Sequence, residues 1–197
     1  MDHQLYRMKT NTVSVDEQTR ASEQDWINQA RQDPAAFKPL YERYFRNVFL
    51  FLLKRVGDKE LAGDLTQQVF LKALLNIPRY EIRGVPFSVW LFKIALNHMN
   101  EYYRKTKHLR TVVIDTDALE ILYEEMTADQ RLEDLEQRLP VILQKLDLPD
   151  LQLIELRFFE SRSFHEIGQL LGITENNAKV KTYRTLERLK KLFHETK

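Results

Sequence analysis

Apolar residues recur at the spacing of an α-helix along almost the whole chain, whereas β-branched residues alternate with polar ones only briefly, at residues 111–115. A chain with so few strand signals is expected to be all-α. Helices are predicted at residues 22–31, 33–55, 58–76, 87–106, 131–146, 149–159, 163–171 and 174–194. We therefore expect an all-α fold of two small helical bundles, the second of which ends in a helix-turn-helix.

The charge of the chain is unevenly distributed, although its net value is only +1. Residues 79–110 carry seven basic and two acidic side chains. Residues 111–138 carry two basic and nine acidic side chains, and residues 161–197 carry eight basic and four acidic ones. Two basic modules therefore flank an acidic connector, in which the density of charge makes a stable core unexpected. The predicted organisation is a polar tail at 1–21, a helical domain at 22–107, an acidic linker at 108–130 and a second helical domain at 131–197.

Several classes of function are disfavoured by what the sequence lacks. No cysteine is present, which excludes disulfides and thiol chemistry and fits a reducing cytoplasm. The five histidines are scattered without metal-ligand spacing, and there is no glycine-rich phosphate loop or nucleophile elbow. The most apolar runs are closed by Lys54 and Lys93, so neither could span a bilayer. We expect a cytoplasmic protein that is not an enzyme, with no metal, no cofactor and no membrane insertion.

Residues 163–184 carry the signals of a helix-turn-helix. Ser163 can cap the first helix, Gly172 can end it in the left-handed conformation, and Thr174 can cap the second helix. At about 100° per residue, one face of the second helix is predicted to be its core face. That core face comprises Ala178, Thr182, Thr185, Leu186, Leu189 and Phe193, and the opposite face comprises Asn176, Lys179, Val180, Tyr183 and Arg184.

The outward face of this helix has the side chains of major-groove recognition. Its basic residues can donate to guanine or phosphate, its asparagine can pair with adenine, and its valine and tyrosine can contact thymine methyl groups. Lys181 and Arg188, on one flank, would suit backbone phosphates. The predicted DNA-binding residues are Asn176, Asn177, Lys179, Val180, Lys181, Tyr183, Arg184 and Arg188. The alternative is a solvated surface helix in a protein that binds no nucleic acid.

Three segments resemble, in order, motifs of bacterial RNA polymerase sigma factors of the extracytoplasmic-function type. They are DLTQQVFLKAL at 64–74, SVWLFKIALN at 88–97 and SFHEIGQLLGITENNAKVKTYRTLERL at 163–189. On this resemblance, residues 37–107 are similar to sigma region 2 and residues 132–193 to region 4. Gly168 departs from the family's usual alanine, a change that should cost about 1 kcal/mol of helix propensity. The segment ENNAKV also replaces the common glycine-threonine-valine opening, which affects which promoter is read.

The resemblance implies a sigma factor, which binds core RNA polymerase and directs promoter recognition and DNA melting. The helix at 58–76 would bind the clamp helices of the largest polymerase subunit through Asp64, Gln67, Gln68, Phe70 and Lys72. The loop from Arg79 to Phe87 would capture an unpaired base of the downstream, minus-10 element. The residues implied in downstream binding and melting are Arg79, Tyr80, Arg83, Phe87, Lys93, Arg104 and Lys105. The helix-turn-helix would read the upstream element, and the polymerase flap and an anti-sigma factor are further implied partners.

Energetics also favour a polymerase subunit over an independent factor. Opening a bubble breaks on the order of ten stacked steps at about 1.4 kcal/mol each. One base held on an aromatic ring recovers only about 1 to 3 kcal/mol, so the chain would need the binding energy of a polymerase. Two alternatives remain at this point: a helix-turn-helix regulator that binds an operator without polymerase, and a helical adaptor whose helix pair binds only protein.

Overall fold

The computed structural model describes residues 17–81, 85–106, 116–126 and 132–195, and within these ranges the chain is all-α, as predicted. Its helices are α1 (Glu17–Ala30), α2 (Lys38–Val56), α3 (Lys59–Asn76), α4 (Phe87–Thr106), α5 (Thr116–Met126), α6 (Leu132–Leu143), α7 (Leu148–Ile154), α8 (Phe164–Leu171) and α9 (Glu175–Glu195). The bounds of α4 are the predicted ones, whereas α1 begins five residues before its predicted start. The strand-like residues 111–115 lie outside the described ranges.

Local capping explains where the helices of the first domain begin and end. The Asp33 carboxylate accepts from the Ala35 N–H at 2.9 Å and starts a 3₁₀ turn that leads into α2. Gly57 ends α2 in the left-handed conformation, with φ of 70°. Asp58 then caps α3 by accepting from the Leu61 N–H at 2.8 Å. The predicted helix at 33–55 is therefore a short 3₁₀ turn followed by a long α-helix.

The first domain consists of α1 to α4 around one hydrophobic core. Helical spacing predicts core positions at Phe37, Leu40, Tyr41, Tyr44, Phe45, Val48, Leu52, Leu61, Leu65, Val69, Leu74, Trp90, Leu91, Ile94 and Ala95. Each of these side chains except Tyr41 is buried or packs partly buried against that core. The Tyr41 ring stays partly exposed but contacts the rings of Phe45 and Phe70, with centroids 5.1 and 4.8 Å apart. The fully buried members include Leu40, Val48, Leu52, Val69, Leu91 and Ala95.

Helix α5 lies in the predicted acidic linker but belongs to the second hydrophobic core. Leu119, Leu122 and Met126 are buried there together with side chains of α6, α7 and α9. The expectation that charge density would prevent a stable core is therefore wrong for residues 116–126. The three apolar residues share one helical face, and the intervening Glu120, Glu124 and Glu125 are exposed. The segment is therefore an amphipathic helix, which its net charge alone did not indicate.

The two domains are packed against each other, which the sequence did not indicate. Helix α4 contacts α8, and the first hydrophobic core extends to Leu153 of α7, to Leu156 in the π-helical turn that follows, and to Ile167 of α8. A polar contact joins the domains as well, because the Gln152 side-chain amide donates to the Asn100 oxygen at 2.7 Å.

A buried group of charges lies at the same boundary. The Arg55 guanidinium, in the last turn of α2, is 3.3 Å from the Glu155 carboxylate and 2.8 Å from the Glu160 carboxylate. Arg55 and Glu155 are each only 2% exposed, and the guanidinium also lies over the Phe51 ring, 3.7 Å from its centroid. These charges are therefore held by one another in a region from which water is largely excluded.

Candidate functional site

The helix-turn-helix has the predicted caps. The Ser163 hydroxyl accepts from the Glu166 N–H at 3.2 Å, and the Glu166 carboxylate accepts from the Ser163 N–H at 2.9 Å, which forms a capping box. Burial alone would raise the pKa of Glu166, but hydrogen bonds from Ser163 and Arg162 hold it below its ordinary value. Gly172 ends α8 with φ of 70°, and the Thr174 hydroxyl accepts from the Asn177 N–H at 3.2 Å.

Gly168 allows α8 to approach the start of α9 closely. A Cβ atom at this position would lie 2.8 Å from the Ile173 carbonyl oxygen and 3.2 Å from the Glu175 nitrogen. Both neighbours are backbone atoms, which cannot turn away as a flexible side chain can. The expectation that glycine here only sacrifices helix propensity is therefore incomplete, because an added methyl group would displace the turn.

Two glycine substitutions separate helix propensity from this steric contact. We expect Gly63→Ala, in the second turn of α3, to raise the free energy of unfolding by about 0.5 to 1 kcal/mol, because a Cβ there would meet no atom within 4 Å. We expect Gly168→Ala to lower the unfolding temperature despite the same gain in propensity. Thermal unfolding followed by circular dichroism measures both. An equal rise in the two variants would show that the turn adapts to the methyl group without strain.

Helix α9 has the predicted division into a buried and an exposed face. All six predicted core residues are buried, and the buried Thr182 hydroxyl donates to the Ala178 carbonyl at 2.8 Å. The five residues of the predicted outward face are exposed, including Val180 and Tyr183 at 39% each. One side of α9 is therefore buried, with Ala178 in the first core and Leu186, Leu189 and Phe193 in the second, while the other presents donors, an amide and apolar groups to solvent.

The residues predicted to flank this face are in different situations. Asn177 and Lys181 are exposed on α9. The Arg188 guanidinium, in contrast, is 3.0 Å from the Asp150 carboxylate and 3.9 Å from that of Asp147 at the start of α7. Arg188 thus ties the middle of α9 to α7, and it would have to exchange these carboxylates for a phosphate.

The aromatic residues predicted to stack on a base are turned inward in this structure. Tyr80 and Phe87 are both buried, with ring centroids 5.6 Å apart, and Tyr80 also packs on Trp90. The Tyr80 hydroxyl donates to the Val85 carbonyl at 2.8 Å, and burial raises the pKa of Tyr80 to about 12. Arg79, directly before the buried Tyr80, is exposed. Arg83 lies outside the described residues.

The basic residues predicted along α4 are exposed but have different neighbours. The Lys93 ammonium lies 3.5 Å from the position that a Cβ would take at Gly172, so it sits beside the turn of the helix-turn-helix. The Lys105 ammonium is 2.7 Å from the Glu101 carboxylate. Arg104 is exposed near the C-terminal end of the helix.

The residues predicted on α3 do not all share one face. Asp64, Gln67 and Gln68 are exposed, but Phe70 is buried against aromatic rings of α2, so it cannot contact a partner directly in this conformation. Leu71 and Leu75 of the same helix, which were not among the predicted residues, are 57% and 69% exposed. Leu71 follows Gln67 by four residues and Leu75 follows Leu71 by four, and this helical spacing was the available signal.

Lys72 belongs to a polar network between α3 and α4. Its ammonium donates to His98 Nδ1 at 2.6 Å and lies 3.2 Å from the Glu101 carboxylate, and His98 Nε2 donates to the Gln68 oxygen at 2.8 Å. Burial and the Lys72 charge lower the pKa of His98, and hydrogen bonds from Lys105 and Lys72 lower the pKa of Glu101 to about 2. Lys72 thus links α3 to α4 through its contacts with His98 and Glu101.

The described parts of the chain contain no group of three or more histidine or acidic side chains placed to hold a metal ion. No helix in these ranges has both the length and the apolar character that crossing a membrane requires.

Comparison with known proteins identifies both domains. The family model "Sigma-70 region 2" matches residues 40–109, and "Sigma-70, region 4" matches residues 142–191. The chain is 32% identical over 169 residues to the ECF RNA polymerase sigma factor SigW of Bacillus subtilis, covering 81% of this chain and 89% of SigW. It is 31% identical over 160 residues to the RNA polymerase sigma factor CarQ of Myxococcus xanthus, covering 81% of this chain and 90% of CarQ.

Solved structures share the fold. CnrH, in complex with the cytosolic domain of CnrY, superposes with a TM-score of 0.54 at 22% identity, covering 87% of this chain and 97% of CnrH. The Bartonella quintana sigma factor RpoE, in complex with the anti-sigma factor NepR, gives a TM-score of 0.51 at 19% identity, covering 82% of this chain and 98% of RpoE. Since both sigma regions match in order and two relatives above 30% identity are covered almost throughout, the chain belongs to the ECF sigma factors, which bind core RNA polymerase and direct promoter recognition and DNA melting.

Proposed function

We propose that this sigma factor reads the upstream promoter element with the outward face of α9 and acts on the downstream element with its first domain. The observation that carries the proposal is the division of α9 into a buried and an exposed face. A recognition helix that is fixed in a core by one side can enter the major groove with the other. Lys179 and Arg184 would donate to guanine or phosphate, and Asn176 would pair with adenine.

At the downstream element, we assign the DNA contacts to the exposed basic side chains of the first domain. Arg79 projects from the turn after α3, and Arg104 and Lys105 lie at the end of α4. Such side chains suit phosphates, which position a protein on DNA. The buried Tyr80 and Phe87 rings, which contact each other, would anchor the segments before and after residues 82–84. Arg83 and Lys93 complete the assigned set on the basis of their sequence positions.

We assign polymerase binding to the exposed face of α3. Asp64, Gln67 and Gln68 form a polar edge beside the exposed pair Leu71 and Leu75. Exposed apolar side chains with a polar rim are typical of a protein-binding surface, here for the clamp helices of the largest polymerase subunit. Phe70 and Lys72 would act indirectly, because they hold α3 on α2 and α4.

The exposed leucines of α3 provide a test of this surface. We expect the double variant Leu71→Ser, Leu75→Ser to bind core polymerase roughly tenfold more weakly, because apolar contacts at the centre of an interface contribute about 1 to 3 kcal/mol. Competition with a labelled wild-type chain measures the affinity. Leu50→Ser, which changes a leucine on α2 that is 42% exposed, is the matched control. An equal loss in the control would argue against a specific role for α3.

The proposed partners are core polymerase, including its clamp helices and flap, promoter DNA and an anti-sigma factor. Core polymerase and promoter DNA follow from the family. The anti-sigma partner is supported by the structure of RpoE, which contains NepR, although that likeness concerns the fold. We place the activity in the cytoplasm and assign the protein no catalytic reaction of its own.

Run-off transcription with purified core polymerase and a library of candidate promoters tests the whole proposal. Specific transcripts are expected only when the chain is added to core. A chain that never yields specific initiation, yet shifts an operator equally well with and without core, would be a conventional regulator instead. Failure to bind core in a competition assay would remove the polymerase assignment directly.

A further inference from the structure

The turn that carries Arg79 is held at two points by a residue that follows α1. Arg31, just after α1, donates from Nε to the Ile77 carbonyl at 3.4 Å and from Nη2 to the Tyr80 carbonyl. These two carbonyls belong to a 3₁₀ turn and the residue after it, and Arg79 lies between them. A guanidinium can hold both at once because its donors have a fixed planar arrangement.

A second set of contacts connects α1 to the same region. The Tyr44 hydroxyl donates to the Glu23 carboxylate of α1, and the Tyr44 ring lies 5.6 Å from the ring of Phe87. Phe87 in turn contacts Tyr80, whose hydroxyl bonds to Val85. Arg31 therefore holds carbonyl groups before and after Arg79, and Tyr44 of α2 links the Phe87 and Tyr80 rings to α1.

We propose that Arg31 is a positioning residue, which orients Arg79 towards the downstream promoter element. The match to sigma region 2 begins at residue 40, so neither Arg31 nor α1 belongs to the part of the chain that the family model covers. Arg79 is exposed on a turn in which Arg31 donates to the carbonyl groups of Ile77 and Tyr80. Such preorganisation removes the ordering cost that a mobile side chain would incur on binding DNA. The inference rests on the proposed downstream role of Arg79.

The Arg31 side chain is itself exposed, so a direct contact between its charge and a phosphate is the competing explanation. The two explanations differ in what lysine can replace. A lysine retains the positive charge but lacks the planar pair of donors that reaches both carbonyls. A phosphate contact would therefore be restored in Arg31→Lys and weakened by salt, whereas positioning would be lost in Arg31→Lys as in Arg31→Ala.

The experiment measures promoter opening by holoenzyme, assembled from core polymerase and the full-length chain, with a fluorescent base in the downstream element. We expect Arg79→Ala, Arg31→Ala and Arg31→Lys each to slow opening by about five- to tenfold, the effect of one lost charge-assisted contact. The double variant Arg31→Ala, Arg79→Ala should be no slower than Arg79→Ala alone, because Arg31 acts through Arg79. All of these variants should bind core polymerase with the wild-type affinity. The control is Lys38→Ala, which removes an exposed charge on α2 and should open the promoter at the wild-type rate.

Additive effects in the double variant, or full activity of Arg31→Lys, would overturn the inference. If holoenzyme with Arg79→Ala opened the promoter at the wild-type rate, both the assignment of Arg79 to DNA and the inference that depends on it would be overturned. If the wild-type holoenzyme failed to open any promoter, the proposed function itself would be wrong. A template melted in advance across the downstream element distinguishes a fault in opening from a fault in folding, since it should restore transcription to all Arg31 variants.

Discussion

Arg55→Leu is expected to reduce the free energy of unfolding by about 3 to 5 kcal/mol, the largest effect on stability that we predict. The substitution leaves the Glu155 carboxylate, which is 2% exposed, without its guanidinium partner at 3.3 Å. The buried Glu155 carboxylate would still bear the free-energy cost of removal from water, but it would lose the attraction of the Arg55 guanidinium that offsets this cost. Urea unfolding, followed by circular dichroism, measures the change.

A second substitution at the same site separates the charge from the packing. We expect the double variant Arg55→Leu, Glu155→Leu to recover much of the lost stability, because an apolar pair of similar volume needs no compensating charge. Glu160→Gln, which changes the more exposed of the two carboxylates near Arg55, should reduce the free energy of unfolding by less than Arg55→Leu does. If Arg55→Leu unfolds at the wild-type urea concentration, the ion pair does not contribute to stability.

Arg184→Ala or Lys179→Ala is expected to weaken recognition of the upstream element by about 1 to 3 kcal/mol, or roughly five- to hundredfold. Both side chains are exposed on the outward face of α9, whose opposite face is buried in the two hydrophobic cores. The variants should therefore keep the wild-type stability and the wild-type affinity for core. Competition between promoters that differ only in the upstream element, at one fixed salt concentration, measures the loss.

Lys191→Ala is the matched control for these two variants. Lys191 is a further exposed cation of α9, closer to the C-terminal end and outside the predicted reading face. Its removal should change discrimination between upstream sequences by less than twofold. Loss of core binding in Arg184→Ala or Lys179→Ala would count against the assignment of this face to DNA.

The features that the sequence predicted well are those decided by local chemistry. The faces of α9 follow from helical periodicity alone, and all eleven assigned positions have the predicted exposure. The caps at Ser163 and Gly172 follow from the preferences of serine and glycine at helix ends. Such signals need only a few neighbouring residues, so they are readable before the tertiary structure is known.

The orientation of aromatic residues required tertiary information. Phe70 and Leu71 are adjacent on α3, yet the phenylalanine is buried and the leucine is exposed. Tyr80 and Phe87 flank a loop, where helical periodicity gives no guide to the direction of a side chain. The burial of these three rings is decided by what α2 and α4 place beside them.

Contacts between distant parts of the chain were beyond prediction from a single sequence. Arg55 meets Glu160 across 105 residues, and Arg31 reaches Tyr80 across 49. Charged residues are numerous in this chain, so composition alone cannot select the pairs. The candidate face on α9 was therefore predictable, whereas the support of Arg79 and the contact between the domains required the structure.

The core that extends across both domains affects how fragments of this chain would behave. A fragment that stops after α4 would lack Leu153, Leu156, Ile167 and Leu170, which complete the first core. A fragment that starts at α6 would lack the apolar residues that α5 contributes to the second core. Newly exposed apolar surface favours aggregation and local unfolding. Weak activity of either isolated piece would therefore reflect a damaged fold, and substitutions in the full-length chain are the sounder way to locate its functions.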